Sequence, residues 1–267
     1  MDHEAVTYGE YSPTRVREQP LTCGIARHPD EIVEAQQLRF RVFGTELGAT
    51  LDTATPGRDE DRFDPHCDHL LVRDTSTGRV VGTYRLLSPD GAARAGGFYA
   101  DTEFDLSRLA ALRASTVELG RACIDPSYRD GTVLTRLWSG VTRYVLEHGF
   151  DYLMGCASIP VGDGGRTAAA VCDRLRHEQP SPPAWRVVPH RPFPLRAVPP
   201  DPDAPIPPLV RGYLRLGAYV CGDPAWDQSF GTADLLLLLP VARMDVRWLR
   251  RCGRDTYRGR RGGARAA

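Results

Sequence analysis

The clearest pattern of apolar and polar positions lies in the middle of the chain, where it predicts strand, loop, helix and strand in succession. Apolar residues around the charged Glu118 and Arg121 predict a strand over Thr116–Ile124. Apolar residues then recur at helical spacing as far as Gly149, which is typical of a helix C-cap. A short apolar run at 152–156 predicts a second strand. The loop before the helix therefore opens onto a helix N-terminus, whose free backbone amides suit a phosphate group.

The same kind of pattern predicts further elements on both sides of this unit. Helices are expected at about 30–44, 106–112, 167–176 and 209–216, and strands at 67–74, 79–87 and 233–239. Residues 88–97 are expected to form a loop. Residues 180–208 contain 12 of the 22 prolines and predict an extended connector. Strands and helices that mix without strict alternation predict an α+β fold, arranged as an α/β sandwich.

Both chain ends are expected to lie outside the folded domain. Residues 1–27 show no periodicity and predict a flexible lead-in, which leaves the domain at 28–249. The segment 243–265 has nine Arg and two Asp, so it carries +7 although the chain has zero net charge. Residues 250–267 are therefore expected to form a basic, disordered tail.

Composition is typical of a globular protein of the cytoplasm. Hydrophobic residues make up 42% of the chain and charged residues 25%. No stretch approaches the ~20 apolar residues of a membrane-spanning helix, and the N-terminus lacks the apolar core of a signal peptide. Seven cysteines without any C-x-x-C spacing predict reduced thiols. We expect a cytoplasmic protein without a nucleic-acid partner.

Glu118 and Arg121 form the most unusual pair of charges in a predicted strand. Under strict alternation, side chains three residues apart point to opposite faces of a sheet. A bulge at Gly120 would insert one residue, bring both side chains to one face and free a backbone amide for an oxyanion. The sequence leaves open the alternative that the two residues form a surface ion pair on an edge strand, which would contribute little to stability.

Metal-ligating residue types cluster at 64–69, but their spacing does not predict a metal site. In a strand, His66 and Asp68 would share one face, whereas Cys67 and His69 would share the other. No second group with zinc-like spacing accompanies them. We therefore expect no metal.

Seven segments, in order, give the chain a specific resemblance that covers most of residues 36–245. They are LRFRVF at 38–43, FDPHCDHLLV at 63–72, VVGTYRLL at 80–87, ELGRAC at 118–123, GCASIP at 155–160, GYLRLGA at 212–218 and CGDPAW at 221–226. Through them the chain resembles the ornithine N-acyltransferases of ornithine-lipid synthesis, which are GNAT-like acyltransferases related to acyl-homoserine-lactone synthases. The resemblance implies a GNAT-like fold with a mixed central sheet flanked by helices.

The resemblance also implies a reaction and the residues for it. Related enzymes join a fatty acyl thioester of acyl carrier protein to a primary amine, which requires a base and an oxyanion donor. Glu118 and Arg121 match the Glu-x-x-Arg pair of the family and are implied as catalytic residues, with Glu118 as the base. The charged and aromatic signature implied to bind the acceptor comprises Arg39, Phe43, Asp61, Asp64 and Arg85. An alternative stays open, in which these charges form a buried ion-pair network that holds the N-terminal helix on the sheet.

Phosphopantetheine is expected to bind where the central helix begins, at Tyr128, Arg129, Gly131 and Thr132. This loop is poorer in glycine than the diphosphate-binding loop of acetyl-CoA enzymes. A carrier protein presents a single phosphodiester, so the loop favours acyl carrier protein over coenzyme A. The alternative for this loop is an ordinary N-cap by Asp130.

The implied function is transfer of a 3-hydroxyacyl chain from acyl carrier protein to the α-amine of ornithine, which yields lyso-ornithine lipid. No tightly bound cofactor is expected, because the acyl-phosphopantetheine is itself the donor substrate. The basic tail suits peripheral contact with an anionic membrane. Two alternatives remain: the same chemistry on another amino acid or amine, as in an N-acyl amino acid or acyl-homoserine-lactone-like synthase, or a non-catalytic protein that binds acyl carriers or lipids.

Overall fold

The computed structural model describes residues 20–245 of the chain. The strands are β1 (Leu21–Ile25), β2 (Asp68–Asp74), β3 (Val80–Leu87), β4 (Phe104–Asp105), β5 (Thr116–Ile124), β6 (Tyr152–Pro160), β7 (Val188–Pro189), β8 (Tyr219–Val220), β9 (Ala225–Asp227) and β10 (Thr232–Pro240). The α-helices are α1 (Pro29–Arg39), α2 (Pro89–Ala95), α3 (Thr132–His148), α4 (Arg166–Glu178) and α5 (Pro208–Arg215). A π-helical segment, Phe40–Glu46, continues α1.

Eight of the strands form one mixed sheet in the order β1-β2-β3-β5-β6-β10-β8. The eighth strand, β9, pairs with residues 232–234 at the start of β10. Within this described sheet only β5 and β6 are parallel, and their pairing runs from Thr116↔Tyr152 to Glu118↔Met154. Beyond that point the two strands separate. At the point of separation they are still close, because a Cβ on Gly155 would lie 2.5 Å from the carbonyl oxygen of Leu119. The sheet thus opens directly after Glu118.

Helices and loops cover both faces of the sheet. On one face the apolar stripes of α3 and α4 pack on the central strands, as with Leu137 and Val141 of α3. A Cβ at Gly140 would lie 2.7 Å from the Cys23 sulfur and 2.9 Å from Leu70, so this glycine lets α3 lie close to the sheet. On the other face, α1 and the segment 98–109 bury separate apolar clusters. The predicted α+β sandwich with a mixed sheet flanked by helices is confirmed.

The central prediction holds closely. β5 has the predicted bounds Thr116–Ile124, and α3 ends at His148 with Gly149 as a C-cap at φ 70°. β6 continues to Pro160, four residues beyond the predicted apolar run, because it pairs along its whole length with β10. Local periodicity therefore located the elements that carry the candidate site.

Two predictions are wrong. The expected lead-in at 1–27 contains β1, which pairs with β2 over five residues, while residues 1–19 lie outside the described part. The expected loop at 88–97 contains α2, which begins with Ser88 accepting a hydrogen bond from the Gly91 amide (3.1 Å) and with Pro89 in its first turn. The Ser88 cap and Pro89 are both signals of a helix N-terminus that the prediction overlooked.

The composition of the chain also predicted a basic tail and a proline-rich connector. The basic tail at 250–267 lies outside the described residues. The segment 180–208 has the expected extended character, with two short 3-10 turns and β7 inside it. Among residues 20–245, no helix has the length and apolar character required to cross a bilayer.

Candidate active site

The pairing of β3 with β5 contains a bulge beside Glu118. Thr83 pairs with Cys123 and Arg85 pairs with Gly120, so two residues of β5, Arg121 and Ala122, lie opposite one residue of β3. Arg121 has φ 50°, the only positive φ of a non-glycine residue in the described chain. The predicted bulge therefore exists, one residue later than expected. It is a place where backbone strain is retained, which is common at functional sites.

Because of the bulge, Glu118 and Arg121 line the same cavity. This small, partly open cavity of about 50 Å³ lies where β5 and β6 separate. Its remaining walls come from β3, β6, β10, the segment after α2 and the segment between β9 and β10. The residues that line it are Arg85, Leu87, Tyr99, Leu119, Gly120, Cys156, Asp227, Phe230 and Asp234.

Glu118 is buried, with 3% of its surface exposed, and its carboxylate is held by backbone amides. Its Oε2 accepts a hydrogen bond from the Tyr99 amide (2.6 Å), and its Oε1 accepts one from the Ala100 amide (2.7 Å). Burial raises the pKa of Glu118 to about 7, against the opposing effect of the two amides. Glu118 forms no ion pair within residues 20–245, and β5 is a central strand. The alternative of a Glu118–Arg121 pair on an edge strand is therefore wrong.

Three arginines and three aspartates form a buried ion-pair network next to the cavity. Arg39, fully buried on α1, lies 2.9 Å from Asp59 and 2.7 Å from Asp64. Arg85 of β3 continues the network, at 2.7 Å from Asp61 and 3.1 Å from Asp64. Asp59 was not among the predicted residues, although it lies in the acidic run that contains two of them. The network fastens α1 and the 59–64 loop to the sheet, as the alternative interpretation of these charges proposed.

Arg121 closes the network from β5. Its Nε lies 3.2 Å from Asp59 and its Nη2 lies 3.2 Å from Asp61. Its guanidinium carbon also lies 5.1 Å from the ring centre of Tyr99 and 4.7 Å from that of Phe230, which places the cation between two aromatic faces. Burial alone would favour protonated Asp61, but the neighbouring guanidinium groups outweigh it and lower the pKa of Asp61.

Phe43 contacts the cavity only through another ring. It lies on the π-helical segment, and its ring meets Phe230 edge to face with centroids 5.7 Å apart. Phe230 in turn lines the cavity and packs on Arg121. Of the predicted acceptor residues, Arg85 lines the cavity, whereas Arg39, Asp61 and Asp64 lie behind it in the ion-pair network.

The four residues predicted to bind phosphopantetheine lie at the start of α3, outside the cavity. The Tyr128 hydroxyl donates to Asp74 (2.7 Å), and Arg129 forms two hydrogen bonds with Glu46 (2.6 and 2.8 Å). Gly131 occupies the N-cap position with φ 94°. The Thr132 amide donates to the side chain of Asp130 (2.9 Å), so Asp130 does help to cap the helix.

Sequence reasoning missed a polar cluster beside the cavity, which consists of Glu103, Cys156 and Asp234. One ligand atom each from Glu103, Cys156 and Asp234 lies within 4.8 Å of the others, close enough for one cation to contact all three. Burial raises the pKa of Glu103 to about 8 and that of Asp234 to about 6. Glu103 lies directly before β4, Cys156 lies on β6 and Asp234 lies on β10. No local sequence pattern could therefore have shown that they are neighbours.

Comparison with known proteins identifies the family of the chain. A family model described as an acetyltransferase (GNAT) domain matches residues 38–139. An L-ornithine N(alpha)-acyltransferase from Brucella abortus (strain 2308) is 38% identical over 255 residues, covering 89% of this chain and 90% of that protein. A protein of the same name from Rhizobium meliloti (strain 1021) is 38% identical over 256 residues, covering 89% and 86% respectively.

Solved structures show the same fold at low sequence identity. The CoA-dependent acyl-homoserine lactone synthase BjaI, determined with MTA, aligns with a TM-score of 0.51 and 16% identity, covering 85% of this chain and 82% of that one. FeeM, an N-acyl amino acid synthase from uncultured soil microbes, aligns with a TM-score of 0.50 and 16% identity, covering 83% and 92%. The chain therefore belongs to the L-ornithine N(alpha)-acyltransferase family and is an acyltransferase with the GNAT fold.

Proposed function

We propose that this enzyme transfers a 3-hydroxyacyl chain from acyl carrier protein to the α-amine of L-ornithine, which yields lyso-ornithine lipid. The observation that supports it most is a buried carboxylate, Glu118, beside a strand bulge in a cavity at the opening between β5 and β6. Relatives that match most of the chain are named L-ornithine N(alpha)-acyltransferases, which supports the acceptor and its α-amine. An acyl donor and an amino acid acceptor follow from that family.

Glu118 is proposed as the general base, acting directly or through one water. It takes a proton from the acceptor ammonium, and the free amine attacks the thioester carbon to form the C–N bond. An amide of the bulge at Arg121–Ala122 donates to the oxyanion of the tetrahedral intermediate. The nitrogen of the intermediate then loses its second proton to solvent. When the intermediate collapses, the C–S bond breaks and the thiolate leaves with the proton that Glu118 removed. A pKa of about 7 suits a base at neutral pH.

The acceptor carboxylate is proposed to bind Arg85 or Arg121, both of which line the cavity. The aspartates have other partners, and this changes the role proposed for them. Asp64 is saturated by two guanidinium groups and would orient the arginines rather than bind substrate. Asp61 keeps 21% of its side chain exposed and remains the better candidate to meet an ammonium.

Acyl carrier protein is proposed as the donor because the loop at Tyr128–Thr132 offers few groups for a diphosphate. Arg129 keeps 43% of its side chain exposed, so it can exchange Glu46 for the phosphodiester of phosphopantetheine. The basic segment 243–265 supports peripheral contact with anionic lipid on the cytoplasmic side, where a lipid product has to be delivered. The donor class is tested with the purified enzyme. The rate of acyl transfer from the acyl carrier protein thioester is compared with the rate from an equal amount of the coenzyme A thioester.

The function is tested by lipid extraction and mass spectrometry on cells that express the wild type, Glu118→Ala, or Asp223→Asn as a control at an exposed residue outside the cavity lining. We expect an acyl-ornithine species in the wild type and the control but not in Glu118→Ala. Conjugates of a different amine would show that the acceptor is wrong. Unchanged lipids in all strains, with folded protein and tight binding of carrier protein, would point to a binding protein instead.

A further inference from the structure

The acidic group of Glu103, Asp227 and Asp234 borders the active-site cavity without any cation of its own. None of the three carboxylates forms an ion pair with an arginine or histidine among residues 20–245. Both carboxylate oxygens of Glu103 are buried, and the polar groups beside them are the uncharged Tyr99 hydroxyl and Cys156 thiol. Buried carboxylates normally have a cation or several donors as partners, so the arrangement lacks a positive charge.

The surroundings show where that charge would come from. Arg121 lines the same cavity, but its guanidinium group is directed to Asp59 and Asp61. Asp234 is held in place by hydroxyl donors, Thr232 at 2.7 Å and Ser158 at 3.1 Å, which orient a carboxylate without neutralising it. Without a cation, burial raises the pKa of Glu103 to about 8, so a proton neutralises it at neutral pH, and an ammonium supplied by a ligand would take the place of that proton.

The acidic group also lies at the junction of two cavities. Asp227 and Asp234 line the cavity that contains Glu118, and Glu103 and Asp227 line a neighbouring open groove of about 500 Å³. A ligand whose amine lies at Glu118 can thus extend a second group toward Glu103. That second group would enter a site bordered by three carboxylates.

We propose that Glu103 and Asp234, with Asp227 at the rim, form a subsite for the side-chain ammonium of a diamino acid acceptor. This inference rests on the proposed function, because L-ornithine carries an ammonium at the end of a short methylene chain in addition to its α-amine. The subsite fixes which amine reacts: the side-chain ammonium is held by carboxylates, while the α-amine faces Glu118. It also distinguishes ornithine from neutral amino acids of the same shape.

The test compares L-ornithine with L-norvaline, which has the same carbon chain but lacks the side-chain ammonium. We expect the wild-type kcat/KM to favour ornithine by at least about 100-fold, because an acceptor without the charge leaves buried polar groups unpaired. Glu103→Gln and Asp234→Asn should each reduce that preference to below about 10-fold, mainly by raising KM for ornithine, with little change for norvaline. Asp223→Asn, an exposed carboxylate elsewhere, should leave the preference unchanged.

Several results would overturn the proposal. If the variants lose activity with both amino acids equally, Glu103 and Asp234 serve the fold, the α-ammonium or proton transfer. If the protein contains one equivalent of a divalent metal by elemental analysis and a chelator abolishes activity, Glu103, Cys156 and Asp234 are metal ligands. If a variant fails to fold, the affinities of the wild type for the two amino acids are measured by titration calorimetry. The proposal requires ornithine to bind at least about ten times more tightly than norvaline, and equal affinities would contradict it. A wild type that acylates neither amino acid would instead refute the proposed function.

Discussion

Asp64→Asn tests the interpretation that the ion-pair network holds the active-site elements together. The carboxylate of Asp64 is 5% exposed and lies 2.7 Å from Arg39 and 3.1 Å from Arg85, and it accepts a third bond from Gln36 at 3.2 Å. The amide keeps the shape but removes the charge, so three buried guanidinium groups would share two carboxylates. Two of those guanidinium groups would also face an amide that can accept only through one oxygen.

The expected loss follows from the partners that remain. Removing one member of a buried pair typically costs about 3–5 kcal/mol. Arg39 keeps Asp59 and Arg85 keeps Asp61, so we expect the lower end, about 3 kcal/mol in the free energy of unfolding. With an m-value of about 3 kcal/mol/M, the urea midpoint would fall by about 1 M.

The assay is urea unfolding at pH 7, followed by tryptophan fluorescence. The guanidinium neighbours lower the pKa of Asp64 despite its burial, so its contribution is present above the unfolded-state pKa and is lost as pH falls through the lowered folded-state value. The difference between wild type and variant should accordingly be full at pH 7 and shrink in acid. Asp223→Asn, whose carboxylate pairs with Arg176 on the surface, should cost less than about 1 kcal/mol. Equal midpoints for the two variants would refute the argument.

Three further predictions concern the cavity, the opening in the sheet and the donor loop. Wild-type kcat/KM should rise with pH through about 7 as Glu118 ionises beside Arg85 and Asp101, and this step should be absent in Glu118→Gln. Gly155→Ala should lower both stability and activity, because its Cβ would lie 2.5 Å from the Leu119 carbonyl oxygen and would force β5 and β6 apart. Arg129→Ala should slow transfer from acyl carrier protein about 10-fold or more at low salt, while stability changes by less than about 1 kcal/mol.

Each of these has a control and a contrary result. For Glu118, a pH step of unchanged size in Glu118→Gln would assign the titration to another group. For Gly155, the control is Gly162→Ala, where an added Cβ meets nothing within 4 Å, and equal behaviour of the two variants would show that the close approach is unimportant. For Arg129, an unchanged rate at every salt concentration would exclude a role in donor binding.

Residues that are near each other in sequence made the centre of the fold predictable. The apolar spacing of 116–160 predicts β5 and α3 because each buries one face against the sheet, and their ends have ordinary stop signals such as Gly149. The bulge was predictable for a similar reason, since Glu118 and Arg121 had to share a face if both serve one site. The sequence could not show that a normal strand residue, Arg121, rather than Gly120, adopts the positive φ.

The partners of the charged residues were not predictable in the same way. Glu118 is held by the amides of Tyr99 and Ala100, and a backbone donor leaves no trace in side-chain patterns. Glu103 and Asp234 are 131 positions apart and become neighbours only when the segment before β4 packs on the face of the sheet that contains β6 and β10. Ordinary acidic residues in a loop and a strand give no signal until tertiary structure joins them.

The most direct test of the central claim uses purified enzyme, 3-hydroxyacyl carrier protein and L-ornithine labelled with ¹⁵N at the α-position only. Tandem mass spectrometry of the product locates the amide nitrogen. The account predicts an amide on the labelled α-nitrogen, formed by the wild type and at least about 100-fold more slowly by Glu118→Gln. Acylation of the unlabelled side-chain nitrogen, or no acyl-ornithine at all, would contradict it.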